Sequence, residues 1–263
     1  MRRILAVAKN TFREAARNKV LYSLLFFAVA LILSALALGQ LSVHEDRRMI
    51  RDVGLFGVDV FSVAIAIFVG VNLLYKELAL KTVYTILPKP IARWEFVLGK
   101  WLGVMATLIA QIVIMGLVLG ATLMVQGGWD ALDGALAKAL WLLLMNVTIV
   151  TSVAMLFSSF SSPFLSGLFS LGVFVVGRSI PDVRALGERI GGWAGRAVAA
   201  ACAVLPNLHL FTPSGSALGA EHVSVHGAFV RASYLGWTTA YAIGYSAVVL
   251  VCAMLIFRRR DFI

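Results

Sequence analysis

The chain predicts an all-α integral membrane protein, and three observations carry that prediction. Of its 263 residues, 60% are hydrophobic and 14% charged, against roughly 25% charged in a soluble domain; the mean hydropathy is +0.91. The apolar residues come in continuous runs rich in Leu, Ala, Val and Gly rather than in short alternating strands. Each run therefore satisfies its own backbone polar groups as a helix, not as part of a closed barrel. Several runs also reach the about 20 apolar residues that a bilayer crossing needs. The net charge of +10 gathers at the ends of these runs, which reads as topology and lipid-headgroup contact and points away from nucleic acid.

The first nineteen residues include six basic ones. Ile4, Leu5, Ala8, Phe12 and Ala15 share one helical face, with Arg2, Arg3, Lys9, Arg13 and Arg17 largely off it, as in a helix lying in the membrane interface. The next apolar run is too long for a signal-peptide core and has no obvious cleavage site, so it is expected to be the first span. Six spans are expected near residues 20–41, 53–75, 101–125, 137–160, 163–180 and 236–257, in a single transmembrane domain covering 1–263. Both termini then share a side. That side carries fourteen Lys and Arg and the other nine, five of them in the long segment 178–231, so the termini are expected in the cytoplasm.

Between the second and third spans, residues 76–100 (KELALKTVYTILPKPIARWEFVLGK) form a charged, proline-broken insertion. Leu80, Val83, Tyr84 and Leu87 recur at helical spacing, and Glu77 and Lys81 are four apart in the favourable order. A short amphipathic helix is expected to end at Pro88, and a second to begin at Ile91 and run through Arg93 and Glu95 to Lys100 at the membrane. Such a bent, rigid lever suits a docked partner; a helical hairpin without one fits the same pattern. The other long connection, 181–235, holds an apolar stretch from Trp193 to Leu205, too short to span, with Pro206 and Pro213 after it. It reads either as a re-entrant outer gate or as a helix on the membrane surface.

Catalytic chemistry is not evident. Gly99-Lys100 is followed by Trp101, not by the Ser or Thr of a phosphate-binding loop, so the chain is expected to draw its energy from a partner or from an ion gradient. Asp59 is the one ionisable candidate inside a span, either a proton relay or an interfacial or locally paired carboxylate. His222 and His226, with His209 nearby, raise a metal site that the intervening Val-Ser-Val disfavours. Ser158, Ser159, Ser161 and Ser162 around Pro163 are expected to cap helix ends. Cys202 and Cys252 read as packing residues. Gly116 and Gly120 suit close helix contact, and Asn146 and Thr148 suit contacts between helices or a polar path.

Glu77, Thr82, Leu87, Pro90, Arg93 and Lys100 form a pattern that resembles the permease subunits of type-2 ABC exporters. The segment AKNTFREAARNKVLY, LPNLHLF at 205–211 and FRRRDF at 257–262 extend the resemblance over nearly the whole chain. It implies a six-span permease with an interfacial helix at 1–19, a cytoplasmic coupling segment at 76–100 and a re-entrant hairpin within an outer gate segment at 181–235. The ATPase-docking residues would be Glu77, Lys81, Thr82, Leu87, Pro90 and Arg93, and the outer gate Trp193, Leu205, Pro206, Leu208 and Phe211. The resemblance further implies two ATPase subunits holding the ATP and Mg, a second permease copy or a related chain, surrounding membrane lipid, a bacterial inner membrane location and no cofactor on this chain itself. Cargo does not carry over, because one scaffold exports many substrates. An ion-coupled carrier and a membrane anchor relaying force to an outer partner are the alternatives.

Overall fold

The computed structural model describes residues 2–40, 46–79, 92–127, 134–212, 216–218, 221–223 and 231–259. Within them the chain runs α1 (Arg2–Ala15), α2 (Lys19–Gln40), α3 (Asp46–Ala79), α4 (Arg93–Gly127), α5 (Gly134–Ser158), α6 (Pro163–Arg178), α7 (Ile180–Ile190), α8 (Gly192–Val204), a 3-10 turn (Leu208–Phe211), β1 (Ser216–Leu218), β2 (Glu221–Val223) and α9 (Ala232–Arg259). The protein is helical as expected, with one short antiparallel hairpin in which Ser216 lies opposite Val223.

Among the described residues, α2, α3, α4, α5 and α9 are each long and apolar enough to cross a membrane. The expected fifth span is different. Helix α6 has 16 residues, about 24 Å at 1.5 Å per residue and short of the roughly 30 Å hydrocarbon core. It passes into α7 through a 72° bend, and a sixth span exists only if this bent pair is counted as one. Pro181 in the first turn of α7 explains the break, since it has no N–H to give the Gly177 carbonyl four residues back and its ring would clash there.

Residues 145–155 of α5 are buried on every side, and their polar Asn146, Thr148, Thr151 and Ser152 are hydrogen-bonded within the bundle. Helices α3, α4, α6 and α9 surround it, and α2 packs outside against α3 and α4. One apolar cluster joins Val63, Leu108, Val150 and Phe211; a second joins Ile32, Val58, Met115 and Leu143. Gly116 makes the expected close contact, since a Cβ there would stand 2.6 Å from Leu140 Cδ1 on α5. Polar bridges pin the helices further: Trp141 Nε1–H donates to Thr239 Oγ1 at 2.9 Å, and Trp101 Nε1–H to Ser152 Oγ at 3.0 Å. Trp101→Phe retains most of the ring packing and loses that bond, so the unfolding midpoint in detergent should fall by an amount equivalent to about 1 kcal/mol. Ser152→Ala added to it should cost little more, because the shared bond is already gone.

Candidate functional site

The inserted segment departs from its expected layout at both flanks. Helix α3 continues unbroken from its span through Glu77 to Ala79, and residues 93–100 are the first turns of α4 rather than a separate short helix. The start of α4 is set by Glu95, whose Oε2 accepts the Ala92 N–H at 3.2 Å, the reach-back half of a capping box. No proline stands between Arg93 and Trp101, and the helix runs through Gly99 and Lys100 without a break. Of the expected docking residues, Glu77 lies on the last turn of α3 and Arg93 is the first residue of α4. Lys81, Thr82, Leu87 and Pro90 lie outside the described residues, as does the expected helix end at Pro88. The segment 80–91 is thus carried between two long helices that pack on one another.

At the base of this unit α1 lies against α4. A Cβ on Gly99 would stand 2.8 Å from Val7 Cβ, and one on Gly103 2.6 Å from Ala8 O and 2.5 Å from Thr11 Cβ. These glycines, four apart, let the two backbones touch. The covered face of α1 is therefore Ile4, Val7, Ala8, Thr11 and Ala15, while Leu5 and Phe12, expected on the same face, are exposed. The face has turned because contact with glycine backbone favours small residues over the largest apolar ones. Lys100, 1% exposed, closes the junction: its Nζ is 3.7 Å from Glu14 Oε2 and lies over the Phe96 ring at 5.6 Å.

Asp59 is a locally paired carboxylate. Arg178 Nη1 forms an ion pair with Asp59 Oδ2, and Asn146 Nδ2 donates to Asp59 Oδ1 at 3.0 Å. Asp59 lies six residues beyond Val53, where the uncharged part of α3 begins after Arg51 and Asp52, about 9 Å along the helix at 1.5 Å per residue. The pair binds α3 to the last residue of α6, at the 72° elbow, and Phe174 stacks beneath the guanidinium with its centroid 5.9 Å from Cζ. Asn146 makes the expected contact between helices. Thr148 does not: its Oγ1–H donates to Leu144 O on its own helix at 2.7 Å.

Beyond the elbow, α7 and α8 form a tight helical hairpin. Gly191 and Gly192, at φ 63° and 62°, make the turn in a region that side chains disfavour, and Gly195 meets the Gly187 carbonyl across the pair. The expected gate residues divide here. Trp193 is 80% exposed, whereas Pro206, Leu208 and Phe211 are buried against the bundle and Leu205 is half-buried. Gly177 makes room for them, as a Cβ there would lie 2.7 Å from Pro206 O. Three tyrosines of α9 hold the segment. Tyr245 O–H donates to Val204 O at 3.1 Å, Tyr234 O–H to Leu210 O at 2.8 Å, and Tyr241 Oη accepts the Asn207 N–H at 3.0 Å. Sequence reasoning missed them, although positions 234, 241 and 245 share one helical face, a signal that was open to reading.

The remaining candidates scatter. His222 stands on β2, His209 in the 3-10 turn, and His226 outside the described residues. Cys202 is a buried and Cys252 an exposed free thiol. The serine cluster caps in part: Ser159 Oγ–H donates to Leu156 O in the last turn of α5 at 2.6 Å. Ser162 occupies the N-cap of α6 without a side-chain cap bond, and Ser158 instead donates to Val71 O on α3 at 2.8 Å, a buried cross-helix tie.

A bundle of five helices long and apolar enough to cross a membrane, with a central polar tie and an elbowed hairpin, defines a multi-pass membrane protein. The profile of the family described as ABC-2 family transporter protein matches residues 5–262, and the chain belongs to that family. No curated protein matches it.

Proposed function

We propose that this chain is the permease subunit of an ABC exporter in a bacterial inner membrane, with both termini cytoplasmic. It works as a dimer with a second copy or a related chain and two separate ATPase subunits that hold ATP and Mg. The observation that carries this reading is the pair of long helices α3 and α4, which pack together and carry residues 80–91 between them. A displacement delivered to Glu77, Lys81, Thr82, Leu87, Pro90 and Arg93 enters two rigid spans directly, so a docked ATPase pair can switch the path between two permease halves. The elbow at Arg178 and the hairpin beyond it form the outer gate. Against an ion-coupled mechanism stands the pairing of Asp59 with Arg178, which balances the carboxylate without a transported ion.

Purification of the tagged chain in mild detergent should bring down an ATP-binding subunit in equal number, with ATP hydrolysis. The charge reversals Glu77→Lys and Arg93→Glu should abolish that association while leaving the chain folded. A lone chain across several detergents, without ATPase activity, would overturn the assembly. An outer protein that co-purifies while no solute moves would assign the complex to force relay.

A further inference from the structure

The elbow between α1 and α2 borders an open cavity of about 340 Å³ lined by Glu14, Ala15, Arg17, Asn18, Lys19, Val69 and Asn72. Its position relative to the bilayer follows from two independent boundaries. Lys19 is the first residue of the apolar span Lys19–Leu36, and Asn72 lies about one turn before Lys76, the first charged residue of α3 beyond its apolar run, so the cavity opens near where hydrocarbon gives way to headgroups. Its charge is unbalanced. Glu14 is matched by Lys100 at 3.7 Å, whereas among the described residues Arg17 and Lys19 have no ion-pair partner and both are exposed. The amides are partly committed: Asn18 Oδ1 accepts the Val20 N–H at 3.0 Å, which leaves its NH₂ as the group it can offer a ligand. Asn72 Nδ2 donates to Phe68 O at 2.8 Å. Donors and cations at a membrane boundary, in a volume within the usual range for ligand sites, suit an anion with several acceptor oxygens.

We propose that this cavity binds a phosphate group, and that its source is the headgroup of an anionic phospholipid. Arg17 supplies a planar donor fork for the phosphate oxygens and Lys19 a point charge beside it. The occupant would brace α1 against α2 and α3 at the junction where α1 also meets α4. This site goes beyond the transport reading and stands whether or not an ATPase binds.

The test titrates the purified full-length chain, in phosphatidylcholine micelles, with short-chain phosphatidylglycerol, and reads retained lipid by native mass spectrometry. Two basic side chains near a membrane surface are together worth roughly a 30-fold preference for the anionic lipid. That preference should vanish in Arg17→Gln/Lys19→Gln and persist in Arg2→Gln/Arg13→Gln, which removes the same charge from α1 outside the cavity. Unchanged unfolding midpoints in phosphatidylcholine alone will show that both variants fold. Equal losses in the two variants would reduce the effect to diffuse surface charge and overturn the site. Full displacement of the lipid by inorganic phosphate at equal concentration would overturn the lipid source.

Discussion

Arg178→Gln should destabilise the chain by about 3–5 kcal/mol, the range for removing one partner of a buried ion pair. What matters is the charge left behind. Asp59 is 1% exposed and would keep, among the described residues, only the Asn146 amide as a hydrogen-bond partner. Asp59→Asn should cost distinctly less, because the Arg178 side chain is 31% exposed and can hydrate where it stands. The double variant Asp59→Asn/Arg178→Gln should recover most of the Arg178→Gln loss, since neither charge is then stranded. Unfolding midpoints of the four proteins in one detergent decide the matter. Losses that simply add would remove the pair as their cause. Because the pair sits at the elbow between α6 and α7, the same loss should appear as faster amide exchange in α7 and α8, the two helices of the outer hairpin.

Gly103→Val should detach α1 from α4. Part of the obstruction is backbone: a Cβ at 103 would stand 2.6 Å from the Ala8 carbonyl oxygen, which yields only if α1 itself moves. Overpacking of this kind costs about 1–3 kcal/mol, equivalent to roughly a 5- to 150-fold rise in amide exchange along α1 if α1 opens as a unit. The Glu14–Lys100 contact should be lost with it, leaving a buried ammonium and deepening the effect. Gly116→Ala is the contrasting case, because its new methyl meets the end of the flexible Leu140 side chain. No change in α1 exchange for Gly103→Val would show that α1 is held by something other than its contact with α4.

Much of this architecture could be read from the chain. Continuous apolar runs located five of the spans, and the apolar stretch from Trp193 located the helix α8. The readings that failed share a cause. Leu5 and Phe12 were assigned to the covered face of α1 because they are its most apolar residues, yet α1 packs on the glycines of α4 with smaller side chains and leaves these two outside. The separate helix at 91–100 was inferred from prolines on one side and a membrane boundary on the other, but a boundary in the solvent does not interrupt a helix whose backbone bonds continue. The gate residues were grouped by sequence proximity, and only the tyrosines of α9 determine that Leu208 and Phe211 are held inside while Trp193 points away.

By itself the sequence determined the membrane class and the approximate positions of five of the spans. A bilayer tests each segment on its own composition. Only the tertiary structure decided that Asp59 is neutralised by an arginine 119 residues away, which face of α1 is covered, and that the 204–210 segment is tied down by hydroxyls 24 to 41 residues further on. Such pairings depend on which helices become neighbours, and neither hydropathy nor helical period encodes that choice.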